Sequence, residues 1–145
     1  MERDNLNQRL IQAKRNSGLK WSDIAEAIGR SPGWTISALF GQHDVTVKEA
    51  QSLGSLLKLT AEETEMLCRP AVRGASAPLN DPLIHRLHEM FNVNGAAIKQ
   101  LIMEEFGDGV VSAIDFKFHV KRVPHPDGDR AQITLDGKFL PFTPW

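Results

Sequence analysis

The periodicity of the apolar residues changes abruptly at Gly107-Asp108-Gly109, and this break constrains the fold more than any other feature of the chain. Before it, Ile98, Leu101, Ile102 and Phe106 fall on one helical stripe, with Lys99, Gln100, Met103 and Glu104 off it. After it, Ile114, Phe116, Phe118 and Val120 alternate with Asp115, Lys117, His119 and Lys121, the period of a half-buried strand. Pro126-Asp127-Gly128 turns the chain, and residues 131–135 read as a second strand. Asp136-Gly137 offers a further tight turn before the apolar tail Phe139-Leu140-Pro141-Phe142. Helical and strand periods in one chain, segregated along its length, indicate an α+β fold.

Residues 1–67 carry only the helical pattern. Leu6, Leu10 and Ala13 mark a first helix, and Trp21, Ile24, Ala25 and Ile28 a second that stops at Gly29. Ser31-Pro32 supplies an N-cap and a first-turn proline for a third, ending near Gly41. Thr46 with Glu49, and Thr60 with Glu63, have the spacing of capping boxes for two more. Residues 68–80 (CRPAVRGASAPLN) are rich in Pro, Gly, Ala and Ser and read as a linker. Asp81-Pro82 then caps a helix over 83–93, which Gly95 separates from the stripe-bearing helix that follows. The expected organisation is a helical domain at 1–67, a linker at 68–80, and a second domain at 81–145.

Two helices and two or three strands in the 65 residues of that second domain bury little core alone. A two-stranded ribbon is marginal and leaves its edges open, so this half is expected to complete its core against another chain, as a homo-oligomer. Seventeen basic residues against eighteen acidic ones leave a formal charge of -1, without a long-range pull on nucleic acid or anionic lipid. No apolar run approaches the roughly 20 residues of a membrane span. The charged start, Met1-Glu2-Arg3-Asp4-Asn5, does not lead into a signal-peptide core, and the single Cys68 cannot form an intrachain disulfide. A cytoplasmic protein is expected.

Residues 21–40 resemble a helix-turn-helix, and five short helices around it resemble the repressor-like DNA-binding domains. Yet no lysine or arginine lies between Arg30 and Lys48, where phosphates and base edges would need them. The helix surface there, Gly33-Trp34-Thr35-Ile36-Ser37-Ala38-Leu39-Phe40, suits burial against protein, so no nucleic-acid partner is expected. The second half holds residues that packing does not require. Arg86 and Glu89 are three apart on one helix face, and Ser112 follows the glycine turn where a strand begins and backbone N–H groups can face a ligand. His85 and His88 are also three apart, with His119 and His125 beyond. No third ligand has a recognisable spacing, so no metal is expected.

The segment 106–120 (FGDGVVSAIDFKFHV) closely resembles the signature of the cyanases. The likeness extends to Asp81-Pro82 with Arg86-Leu87-His88-Glu89-Met90, to 131–137 (AQITLDG) and to 138–141 (KFLP), and in outline to the helical first half. The resemblance implies a lyase that joins cyanate to bicarbonate and yields ammonia and carbon dioxide through carbamate. Bicarbonate is then a co-substrate, and neither an organic cofactor nor a metal is implied. It places Arg86, Glu89 and Ser112 in an active site lying between subunits, in decamers of intertwined dimers. Arginine suits two anionic reactants because its fork binds a planar oxyanion at two points. Ser112 reads as a hydrogen-bond donor rather than a nucleophile, and Glu89 either orients Arg86 or moves a proton. Cys68 matches no site residue of that family, and the tail 143–145 carries no expected role. The competing reading is a helix-turn-helix regulator whose second half binds a small anion.

Overall fold

The computed structural model describes residues 2–74 and 80–143. It divides into two compact units, Met1–Ser76 and Ala77–Trp145. The middle of the 68–80 linker and the last two residues of the tail lie outside the described residues.

The first unit is five helices: α1 (Arg3–Ser17), α2 (Trp21–Glu26), α3 (Pro32–Leu39), α4 (Val47–Leu57) and α5 (Ala61–Leu67). Most of the later boundaries have a local cause. The Ser31 hydroxyl accepts the Trp34 N–H ahead of Pro32, and Gly29 and Gly41 take left-handed conformations after α2 and α3. Both capping boxes form: Thr46 and Thr60 accept the N–H of Glu49 and Glu63, whose carboxylates accept the N–H of Thr46 and Thr60 in return. Leu6, Leu10, Ile24, Leu39, Leu53 and Leu67 form the fully buried centre of the bundle. At its edge the Arg3 guanidinium donates to the carbonyls of Ala38, Leu39 and Met66, placing a cation where α3 and α5 end.

The second unit is one long helix, α6 (Pro82–Phe106), and an antiparallel pair, β1 (Gly109–Val123) and β2 (Arg130–Pro141). The Asp81 carboxylate accepts the Ile84 N–H at 2.9 Å, with Pro82 in the first turn. Two expectations are corrected here. The helix runs without a break through Gly95, because glycine there keeps the helical conformation and Ala96-Ala97, the best helix formers, follow it. Its cost of about 1 kcal/mol is spread over 25 residues. The strand likewise runs straight through Asp136-Gly137, so among the described residues no third strand forms and the strands reverse only at 124–129.

Among the described residues, every buried apolar side chain belongs to the first unit. Helix α6 buries none of its residues. Leu83, Val93, Leu101, Phe106, Ile114, Val120 and Phe142 are each more than three-fifths exposed. One ring contact ties the helix end to the hairpin, Phe106 stacked on Phe139 at 4.9 Å.

Candidate active site

The Arg86 Nη1 lies 2.6 Å from Glu89 Oε2, one helical turn along α6. The pair is solvent-facing, with 72% and 47% of the two side chains exposed. An exposed pair of this kind adds about 0.2–1 kcal/mol to stability, so the fold does not depend on it. Its consequence is geometric. Glu89 holds one edge of the guanidinium, and the Nε and Nη2 donors keep the other edge for a planar anion.

Ser112 sits where the β-ladder is interrupted. The pairing runs Gly109↔Pro141 to Val111↔Phe139 and resumes at Phe116↔Gly137, so residues 112–115 stand opposite Lys138 alone. Within this bulge the Ser112 Oγ accepts the N–H groups of Ile114 at 3.1 Å and Asp115 at 2.9 Å. The backbone amides expected to face a ligand are thus turned onto the serine itself. They occupy the lone pairs of the hydroxyl, so its own proton is the part left to bond elsewhere. Beside the bulge a shallow pocket of about 310 Å³ is lined by Asp115, Phe116, Lys117, Asp136, Gly137 and Lys138.

The sequence-derived site residues therefore form two groups within one chain. Arg86 and Glu89 are joined near the start of α6, about 30 Å along the helix axis from Phe106. Ser112 lies beyond the other end of that helix, bonded only to its own strand. No hydrogen bond or ion pair links the two groups among the described residues. The bulge was not legible in the sequence, because Asp136-Gly137 carries the same signal as a tight turn. The four-against-one count shows only when both strands are seen paired.

The histidines do not converge. His85 and His88 stand exposed on α6 and His119 on β1, while His125 Nδ1 accepts the Asp127 N–H in the hairpin turn. Among the described residues no three His, Cys, Asp or Glu side chains are arranged to hold a metal ion. Cys68 caps α5, half-buried, with its thiol 3.9 Å from the Thr64 carbonyl. In α3, Gly33, Thr35, Ala38 and Leu39 are buried in the bundle and only Pro32 is exposed, so this helix offers no charged face to a phosphate backbone. No helix among the described residues is long and apolar enough to cross a membrane.

The comparisons agree over the whole length. The pattern described as "Cyanate hydratase, N-terminal" matches residues 3–69, and that described as "Cyanate lyase C-terminal domain" matches residues 76–144. A cyanate hydratase of Mycolicibacterium vanbaalenii is 48% identical over 144 residues, covering 98% of this chain and 94% of that one. One of Thiobacillus denitrificans is 45% identical, covering 98% of each. The crystal structure of cyanase from T. urticae superposes with a TM-score of 0.80 at 34% identity, covering 94% of this chain and 96% of that one.

Proposed function

The chain belongs to the cyanate hydratase family, a family of lyases, and from that premise we propose how it decomposes cyanate. Bicarbonate supplies an oxygen that attacks the carbon of cyanate, forming a C–O bond and a dianionic adduct. The bicarbonate hydrogen passes to the nitrogen, and the bond from the attacking oxygen to the bicarbonate carbon breaks, releasing carbon dioxide. One proton from solvent completes carbamate, which then carries two hydrogens on nitrogen. A second solvent proton makes the nitrogen a leaving group, and carbamate falls to ammonia and a second carbon dioxide.

The main obstacle is electrostatic. Two unit charges brought to about 4 Å repel by about 1 kcal/mol in water and by about 4 kcal/mol at the effective dielectric of a partly buried site. Arg86 offsets that repulsion with a permanent cation and aligns the reactants through its free edge, so the second-order encounter becomes a local one. Glu89 fixes the plane of the guanidinium, and the 2.6 Å contact supports this positioning role. Ser112 donates its proton to a carboxylate-like oxygen of the adduct, in the manner of an oxyanion hole. Among the described residues its hydroxyl has no hydrogen bond to a basic side chain, and the two amides it accepts favour the donor role over nucleophilic attack. The charges are handled by protein groups, and the reaction on this reading needs neither metal nor organic cofactor. Full activity after exhaustive chelation is the matching observation.

The observation that carries the proposal is the separation of the two halves of the site, joined to an apolar surface left open on α6, β1 and β2. Both are met at once if copies of the chain pack through these elements, with Arg86 of one copy facing Ser112 of another, in a closed cytoplasmic assembly such as a ring of dimers. The test is bicarbonate-dependent release of ammonia from cyanate, abolished in Arg86→Ala while the assembly persists. Salt-sensitive binding of duplex DNA without ammonia release would replace this reading with that of an anion-responsive regulator.

A further inference from the structure

We propose that Gly137 is a positioning residue for this site: its lack of a side chain makes room for the bulge that holds Ser112 as a donor. The inference rests on Ser112 serving the reaction. Gly137 is the β2 residue at which pairing resumes after the bulge, opposite Phe116. A Cβ built on it would lie 2.5 Å from Val111 Cγ1, 2.7 Å from the Ser112 carbonyl oxygen and 3.1 Å from Phe116 Cδ2. Two of these neighbours bracket the bulge, and the third is the backbone of Ser112 itself. The last is the decisive one. A side chain can rotate away, but a carbonyl oxygen moves only with its peptide plane, and that plane carries the orientation of Ser112. The same peptide group is followed by the two amides that grip Ser112 Oγ at 3.1 and 2.9 Å.

Conformational freedom is not the reason for glycine at this position. Its φ is not in the left-handed region, and the residue lies within a continuous strand, where glycine is otherwise a poor choice. What the position demands is space. Any substituent pushes residues 112–115 away from β2, and the serine hydroxyl goes with them. A displacement of the order of 1 Å at a catalytic donor can cost about 100-fold in rate.

The test is a double-mutant cycle in the full-length, assembled protein, read as kcat and KM for bicarbonate-dependent cyanate decomposition. Gly137→Ala is expected to lower kcat by about 10- to 100-fold, with a smaller change in KM. In a Ser112→Ala background the same substitution is expected to change kcat by less than about twofold, since the donor it misplaces is already gone. A wild-type kcat in Gly137→Ala, or an equal loss in both backgrounds, overturns the proposal. If Gly137→Ala does not assemble, Val111→Ala/Gly137→Ala relieves the closest side-chain contact and keeps those on the Ser112 carbonyl and the Phe116 ring. This pair is expected to stay impaired, and full activity in it overturns the proposal too. Ser112→Ala measured alone separates the two layers. An unimpaired Ser112→Ala removes Ser112 from the site and this proposal with it, whereas an impaired one beside a normal Gly137→Ala removes only the role of Gly137.

Discussion

On the proposed reading Arg86 and Ser112 act through different properties, and their substitutions should fail in different ways. Arg86→Lys keeps the charge but loses the planar fork, so the anion is attracted and no longer aligned. We expect kcat/KM to fall by about 100-fold with the assembly intact, as read by ammonia release beside sedimentation. Near-normal kcat/KM would mean that charge alone suffices. Glu89→Gln keeps the shape of the side chain and weakens its hold on Nη1. A positioning role predicts lower kcat with an unchanged form of the pH profile, and loss of one limb of that profile would assign Glu89 to proton transfer instead. Two residues of the first unit contribute to its response to acid. Burial works to raise the Glu49 carboxyl, but hydrogen bonds from the Thr46 N–H, Arg30 and the Thr46 hydroxyl outweigh it and hold the group below the ordinary carboxylate range. Its contribution to stability is therefore complete above about pH 4.3 and lost as the pH falls through the lower value of the folded state. Burial and then Arg73 hold the His43 imidazole below its usual range, against a smaller opposing effect of Asp44. The unfolded chain therefore takes up this proton first, and stability begins to fall as the pH drops below about 6.5. Melting temperature against pH should show both declines, and Glu49→Gln should make the lower one shallower without touching the upper.

The elements of the first unit are held by close packing that small residues permit. Helix α4 meets α5 at Gly54, where a Cβ would lie 2.4 Å from Thr64 Oγ1, a hydroxyl already donating to the Thr60 carbonyl at 2.9 Å. Gly54→Ala should destabilise the unit by about 1–3 kcal/mol despite the better helix propensity of alanine. Adding Thr64→Ala should recover most of that loss, and the pair of melting temperatures decides it. Failure to recover would place the strain elsewhere. The helices of this unit were legible because their signals are local. Ser31, Thr46 and Thr60, like Asp81 at the start of α6 in the second unit, each act on a backbone N–H three residues ahead, and all four do so in the fold. The glycines of the second unit misled because one residue type answers to three needs. Gly29 ends a helix through its positive φ, Gly95 sits inside a helix at modest cost, and Gly137 leaves space for a neighbouring strand. Only the first need is written in the flanking sequence. The site divided in the same way. Helical spacing alone joined Arg86 to Glu89, while the setting of Ser112 depends on a register between strands that no local pattern encodes.

On the scale of the molecule, the two units differ in how far a single chain satisfies them. The first encloses its own core, but the second leaves a 25-residue helix and both strands without a buried side chain. Exposed apolar surface on this scale fits a surface for association, and the closed arrangement of copies proposed above would cover it. Activity should then depend on assembly and not on the first unit alone. In urea, ammonia release is expected to disappear at lower denaturant than the helical signal of the first unit, and its midpoint should rise with protein concentration. A single concentration-independent transition would contradict this. The sharper test uses two inactive proteins. Arg86→Ala retains Ser112, and Ser112→Ala retains Arg86, so neither alone forms a complete site. If one copy supplies Arg86 and another Ser112, dissociating and reassembling an equal mixture restores roughly a quarter of the sites by random pairing. If both groups come from the same chain, every site in the mixture lacks one of them and no activity returns. Partial recovery on mixing would establish that the long, unburied helix carries its arginine to a neighbour's serine.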